Sequence, residues 1–271
     1  VSLADDVTEL CAGFSGVAGV SARNLSTGEE VSLRENEAFP TASAIKPFVL
    51  LALLRAAELG EVDLAERIAI DRSHHVLGSG ALSHLDAGLS PTLMDLGVLM
   101  LMLSDNTATN LLLNRLSVDA INAAIARVGL QHTTLRGKID FAEDPSAFAS
   151  STPADLSAFY RSLTRGELLD ASHTARLLDV LRIQKYIEPL RRELPADPYA
   201  REFGDDEPVW VASKTGSLSG VRVDAGLIHT PRAEWSLAVM TKTGADRRVT
   251  SDNEGVVLIA RVSRVIYDAW S

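Results

Sequence analysis

Two hundred and seventy-one residues, 46% of them hydrophobic and 23% charged, make an ordinary globular chain long enough to bury a sizeable core. Thirty-six Asp and Glu against 26 Lys and Arg leave a formal charge of −10, which argues against a surface built to hold nucleic acid or an anionic membrane. One cysteine, Cys11, excludes an intrachain disulfide and a thiolate metal cluster.

The amino terminus has no basic start, and Asp5, Asp6 and Glu9 interrupt its apolar residues, so it does not read as a signal peptide. The chain begins with Val. It belongs in the periplasm or outside the cell if a signal was removed, and in the cytoplasm if it is full length. An amphipathic helix is expected over about 2–14, followed by alternating strands over 17–25 and 30–34 around the turn Ser26-Thr27-Gly28. From Thr41 to Pro195 the pattern is helical and rich in Leu and Ala, with starts marked by Ser90-Pro91 and by Thr152-Pro153 with Asp155. Its longest apolar run, Phe48 to Leu54, is far shorter than the roughly 18 residues of a membrane span.

Strand character returns at Val209–Ser213, Val221–His229 and Trp235–Thr241, and Ser251-Asp252 is expected to cap a last helix. Strands at both ends around a helical insert predict one antiparallel sheet with the terminal helices on one face. The expected division is an α/β lobe (1–40 and 205–271) and a helical lobe (41–204), with the site in the cleft between them.

No HExxH helix, GxxxxGK[ST] loop or GxSxG elbow occurs. His74 and His75 lack a supporting carboxylate at metal-site spacing and read as a polar loop, so neither metal nor cofactor is expected. Ser43-Ala44-Ile45-Lys46 is more informative. On a helix the lysine amine lies on the same face as the serine hydroxyl, and a desolvated lysine can activate a serine. Pro47 has no N–H to return to the Ser43 carbonyl, so an irregular first turn is expected there. With 25 serines and 5 lysines, roughly half an S-x-x-K would arise by chance. Ser104-Asp105-Asn106, between two apolar helices, and Lys214-Thr215-Gly216, at the end of strand Val209–Ser213, raise its weight. Second copies, Ser251–Asn253 and Lys242–Gly244, sit at a helix cap and a strand exit, where a structural role suffices.

In order and context these motifs resemble the penicillin-recognising serine enzymes, in particular the class A β-lactamases. Gly78-Ser79-Gly80-Ala81-Leu82, the run Ser104–Asn110 and the run Lys214–Arg222 with Asp224-Ala225-Gly226 carry the likeness, which extends from about 15 to 270. The resemblance implies an α+β, β-lactamase/transpeptidase-like fold: an antiparallel sheet flanked by terminal helices, plus an all-helical lobe. It implies a Ser43 acyl-enzyme, with Lys46 taking or relaying the proton and Ser104 passing one to the leaving nitrogen. Asn106 would hold a side-chain amide, and Lys214 and Thr215 a carboxylate, Gly216 completing that motif. The backbone N–H groups of Ser43 and Ser217 would form the oxyanion hole. Arg222 would either assist the carboxylate or sit exposed, paired with Asp224.

One part of that family's pattern is missing. Its E-x-x-L-N loop, which holds the water that releases the acyl group, has no counterpart in 136–153, where there is no asparagine. Asp140, 36 residues after Ser104, and Glu143 are the candidate replacements. The expectation is a monomeric serine hydrolase acting on a small anionic β-lactam, amide or ester. A D-Ala-D-Ala-type peptidase or esterase with poor β-lactam turnover, and a non-catalytic penicillin-binding sensor, are the alternatives.

Overall fold

The structure, a computed structural model, describes residues 2–142, 144–186 and 188–271. Glu143, one of the two candidate bases, lies outside the described residues. Helix α1 (Leu3–Ala12) begins with a reciprocal cap between Ser2 and Asp5 and leads into β1 (Val17–Asn24) and β2 (Glu30–Leu33). At the other end of the chain, the short helices α8 (Glu188–Arg191) and α9 (Ala200–Phe203) are followed by β6 (Trp210–Leu218), β7 (Val221–His229), β8 (Glu234–Lys242) and α10 (Glu254–Trp270). The two ends join in one antiparallel sheet of order β2-β1-β8-β7-β6, because β1 pairs along its whole length with β8, from Val17 opposite Lys242 to Asn24 opposite Trp235.

Both faces of this sheet are buried, and period-two alternation sorts its side chains. Trp235, Leu237 and Val239 of β8 pack with Val7 of α1 and with Ile259, Val262 and Ile266 of α10. Ala238 and Met240, on the opposite face, join the core of the middle segment. The centre of that core is α2 (Lys46–Glu58), whose Phe48, Val49, Leu50, Leu51, Leu53 and Leu54 are all buried. This explains an apolar run with no polar face: the helix is surrounded. Around it stand α3 (Leu93–Met102), α4 (Asn106–Leu116), α5 (Val118–Arg127), α6 (Pro153–Thr164) and α7 (Ala171–Arg182). Short β3 (Phe39–Pro40), β4 (Thr134–Leu135) and β5 (Ala149–Ser151) add a small sheet of order β3-β5-β4 inside the mainly helical stretch. No helix among the described residues is long and apolar enough to cross a membrane.

Three local expectations need correction. Helix α3 is capped by Thr92 with Asp95, not by Ser90-Pro91. Residues 90–92 are held extended, with Pro91 O accepting from Ile68 N at 3.0 Å and Arg67 bridged to Thr92. Helix α10 is capped by Asn253, whose side chain accepts from Gly255 N, and Ser251 is exposed. Asn253 Nδ2 ties back to Asp246 O and Arg248 O at 2.9 and 3.1 Å, which fastens the preceding loop to the start of the helix. Lys214–Gly216 sits inside β6 and not at its end, because pairing continues to Leu218 opposite Val221.

Candidate active site

The carbonyl that Pro47 cannot reach is the starting point. Residues Ala42–Ile45 form a 3₁₀ turn, and Ser43 O accepts from Lys46 N, one residue earlier than an α-helix would provide. Ala42 sits at φ +47°, a left-handed conformation that a non-glycine residue adopts at a cost. From Thr41 to Leu50 every residue is buried except Ser43, which is half-buried and lines a cavity of roughly 810 Å³. Strand β6 runs directly against this turn. A Cβ on Gly216 would stand 2.2 Å from Thr41 O and 3.0 Å from Ala44 N, so only glycine allows the approach.

Lys46 is completely buried beneath the cavity. Its Nζ donates to Ser104 O at 2.7 Å, to Asn106 Oδ1 at 2.9 Å and to Ser104 Oγ at 3.1 Å. Burial first, and the charge of Lys214 second, hold its ammonium well below the ordinary lysine range, while Asp105 opposes them. Asp105 organises the turn. It caps α4 through Ala108 N at 2.9 Å and accepts from Ala81 N and Leu82 N at 2.7 and 2.9 Å, fixing the 78–82 loop against α4. Ser104 is held at φ +54° between α3 and α4. Asn106 Oδ1 also takes Ser79 Oγ at 3.4 Å, and its Nδ2 gives one hydrogen to Leu77 O at 2.9 Å.

Across the cavity, Lys214 Nζ donates to Thr215 O at 2.9 Å and Gln184 Oε1 at 3.4 Å. Burial pulls Lys214 down to about 7, with Asp224 pulling the other way. Gln184 is a residue that no motif marked. Its buried Oε1 also accepts from Thr215 N at 3.0 Å and Thr215 Oγ1 at 3.1 Å, and its Nε2 donates to Ser213 Oγ at 3.1 Å. A backbone N–H and an ammonium can only donate, so the amide oxygen must face them. The buried Asp224 lies opposite Thr215 in the sheet and accepts from Leu190 N at 3.0 Å. Burial pushes Asp224 up to about 7.

Thr215, Ser217 and Arg222 line the same cavity as Ser43, Ser104 and Asn106. Arg222 is buried and does not pair with Asp224. Its guanidinium donates to the carbonyls of Leu218 at 2.6 Å, Val221 at 2.7 Å and Arg248. Asp140 lies on the opposite wall, exposed, with Oδ1 accepting from Ala142 N at 2.9 Å. The segment carrying it is clamped at one point: Asn110 gives Nδ2 to Ile139 O and takes Ile139 N on Oδ1, both at 2.9 Å. Of the other candidates, His74 accepts from Asp71 N in a turn of its own. Lys242 reaches Ala38 O at 2.8 Å and pairs with Glu37. Among the described residues, the three metal-capable groups that converge are Glu58 at the end of α2 and Asp170 and His173 at the start of α7; they bond to one another and do not line the cavity.

The site thus holds a buried lysine bonded to Ser104, a half-buried Ser43 lining the same cavity as Ser104, and a second buried lysine on strand β6. The family model described as the beta-lactamase enzyme family matches residues 2–270, and the chain belongs to that family. Among its relatives, a beta-lactamase from Sphaerobacter thermophilus is 30% identical, superposes with a TM-score of 0.86 and shares 98% of this chain and 96% of its own. The structure of a PBP-A mutant, an acyl-enzyme complex with penicillin G, is 27% identical with a TM-score of 0.85 over 98% of this chain and 95% of that one. The beta-lactamase regulatory protein BlaB of Streptomyces cacaoi is 26% identical over 91% of this chain and 90% of its own. The α+β architecture expected from the sequence is therefore the class A β-lactamase fold.

Proposed function

We propose that the protein is a serine acyl hydrolase of class A β-lactamase type that forms an acyl-enzyme on Ser43. The observation that carries this reading is the environment of Lys46. A fully buried amine held below its normal pKa, bonded to the Ser104 hydroxyl, is a base poised to take a proton. Ser104 Oγ both accepts and donates, so it can turn its own hydrogen toward the neutral amine and relay a proton to a leaving group. Ser43 Oγ attacks the carbonyl carbon, the bond to the leaving nitrogen or oxygen breaks, and that atom receives the proton through Lys46 and Ser104.

The N–H groups of Ser43 and Ser217 serve as the oxyanion hole. The close approach of Gly216 to the Ser43 turn supports this assignment. Asn106, with one amide hydrogen left over, takes a carbonyl of the acyl group. Lys214, Thr215 and Arg222 form the cationic end for a substrate carboxylate. The division into lobes 1–40 with 205–271 and 41–204 belongs to the same reading, supported by a cavity lined from both.

Release of the acyl group falls to Asp140, which lines the cavity but is exposed and bonded within its own turn, and slow turnover follows from that. The similarity to BlaB supports a second reading, a sensor that keeps its adduct. Incubation with penicillin G, followed by intact mass over time, tests both. An adduct that forms and decays with product supports the hydrolase, and a permanent adduct supports the sensor. No adduct with penicillin G or a 4-nitrophenyl ester on folded protein overturns the acyl-enzyme.

A further inference from the structure

The cavity is larger and more apolar than attack at Ser43 requires. Ile139, Phe141 and Phe148 stand on the 136–148 wall, and Leu218, Val249 and Val256 on the sheet side. Large apolar side chains that line a concave site while still facing water mark where a ligand's apolar surface is buried. Here Phe141 is 52% exposed and Val249 86%. The volume of roughly 810 Å³ is of the size that encloses a drug-sized molecule, far beyond an acetyl or alanyl group.

The geometry also says which part of the substrate meets these side chains. A Cβ built on Gly78 would stand 2.8 Å from Asn106 Nδ2 and 3.1 Å from Phe141 Cζ, so the amide and the ring flank one spot. Asn106 has both acceptor directions occupied, by Lys46 and Ser79, and one hydrogen committed to Leu77 O. A single N–H remains. Whatever reaches it lies along the Phe141 ring. Thr215, Ser217 and Arg222 line the strand end together with Leu218, and the 136–148 wall carries Arg136, Lys138, Asp140 and Asp144 beside its apolar side chains, so it is the approach of Phe141 to Asn106 that sets the acyl group against the ring.

We infer that the site selects acyl donors whose acyl group is large and apolar, with Phe141 and Ile139 as specificity-determining residues. This rests on the Ser43 acyl-enzyme reading. In the step concerned, the Ser43 Oγ–carbonyl bond forms, the bond from that carbonyl to the leaving alkoxide breaks, and the Ser43 proton ends on the leaving oxygen.

The test is a series of 4-nitrophenyl acetate, butyrate, hexanoate and octanoate, followed as acylation kcat/KM. The octanoyl-to-acetyl ratio is expected to exceed about tenfold, since each buried methylene adds favourable transfer energy. Phe141→Ala is expected to cut that ratio about fivefold. Phe203→Ala, an exposed phenylalanine elsewhere (78%), should leave the ratio as in the parent. A flat series, or a ratio unmoved by Phe141→Ala, overturns the inference. Binding of the same esters to Ser43→Ala separates the two readings. Tighter binding of the longer ester to Ser43→Ala, with no adduct in the parent protein, would uphold the apolar subsite and overturn the acyl-enzyme. Adducts formed equally fast along the series would do the reverse.

Discussion

Two walls face each other across one cavity and are held in opposite ways. The Ser43 turn, Lys46 and the Ser104–Asn106 corner are embedded in the core, and the hydrogen bonds of Lys46, Asp105 and Asn106 lock them to one another. The 136–148 wall is largely exposed, and apart from β-pairing at its ends its firmest attachment is the Asn110 clamp on Ile139. In the proposed reading, acylation depends on the first wall and release on the second. On that reading, a rigid acylating side opposite a loosely supported releasing side would capture substrate faster than it lets go.

The acylating wall is where disruption has the largest effect. Ser43→Ala should abolish adduct formation, read by intact mass, and Lys46→Met should slow acylation by roughly 10²–10⁴-fold while preserving volume. The pH dependence follows from the sign of the lysine shift. The amine acts when unprotonated, and burial lowers its pKa, so acylation should rise with pH at values below the ordinary lysine range. Stopped-flow acylation between pH 5 and 10 measures this, and a rise confined to pH above 10 would show that Lys46 is not the base. Buried in this state, Lys46 binds fewer protons folded than unfolded, so its contribution to stability grows as pH rises toward 10.5.

The releasing wall gives the next effect. Asp140→Asn should lengthen the adduct's lifetime by roughly 10²-fold without changing its rate of formation, the low end of what a general base provides when it is exposed. Equal lifetimes in the two proteins would remove Asp140 from the reaction and leave the second wall without a base.

The same contrast separates what the sequence revealed from what it hid. Ser43–Lys46, Ser104–Asn106 and Lys214–Gly216 were legible through their order and context, which resemble the family's motifs, and Pro47 announced the irregular turn through one missing N–H. The five-stranded sheet was legible because the long strand-like runs fall near the two ends of the chain. Gln184 was not, since its role exists only when the turn after α7 meets β6, more than 25 residues later. Nor was the fate of Arg222, whose carbonyl partners come from the β6–β7 turn and the loop before α10.

Gln184 sharpens the comparison from the sheet side. Gln184→Ala removes the acceptor of Thr215 N, Thr215 Oγ1 and Lys214 Nζ together. Buried donors left unpaired should lower stability by about 1–3 kcal/mol, measured by urea unfolding. Because Gln184 positions Thr215 and touches no substrate, KM for penicillin G should rise several-fold with kcat nearly unchanged. An equal loss in both would assign Gln184 a structural part only.

The smallest effect separates the two Ser-Asp-Asn copies. Asn253 caps α10 and closes its loop, so Asn253→Ala should cost about 1–2 kcal/mol in thermal or urea unfolding. Ser251 is exposed and caps nothing, so Ser251→Ala should stay within about 0.5 kcal/mol of the parent. Because Ser251 also lines the cavity rim, the pair must be read for acylation as well. Full acylation in both variants would confine the chemistry to the wall built by Ser43 and Ser104. Loss of acylation in folded Ser251→Ala would move part of it across the cavity.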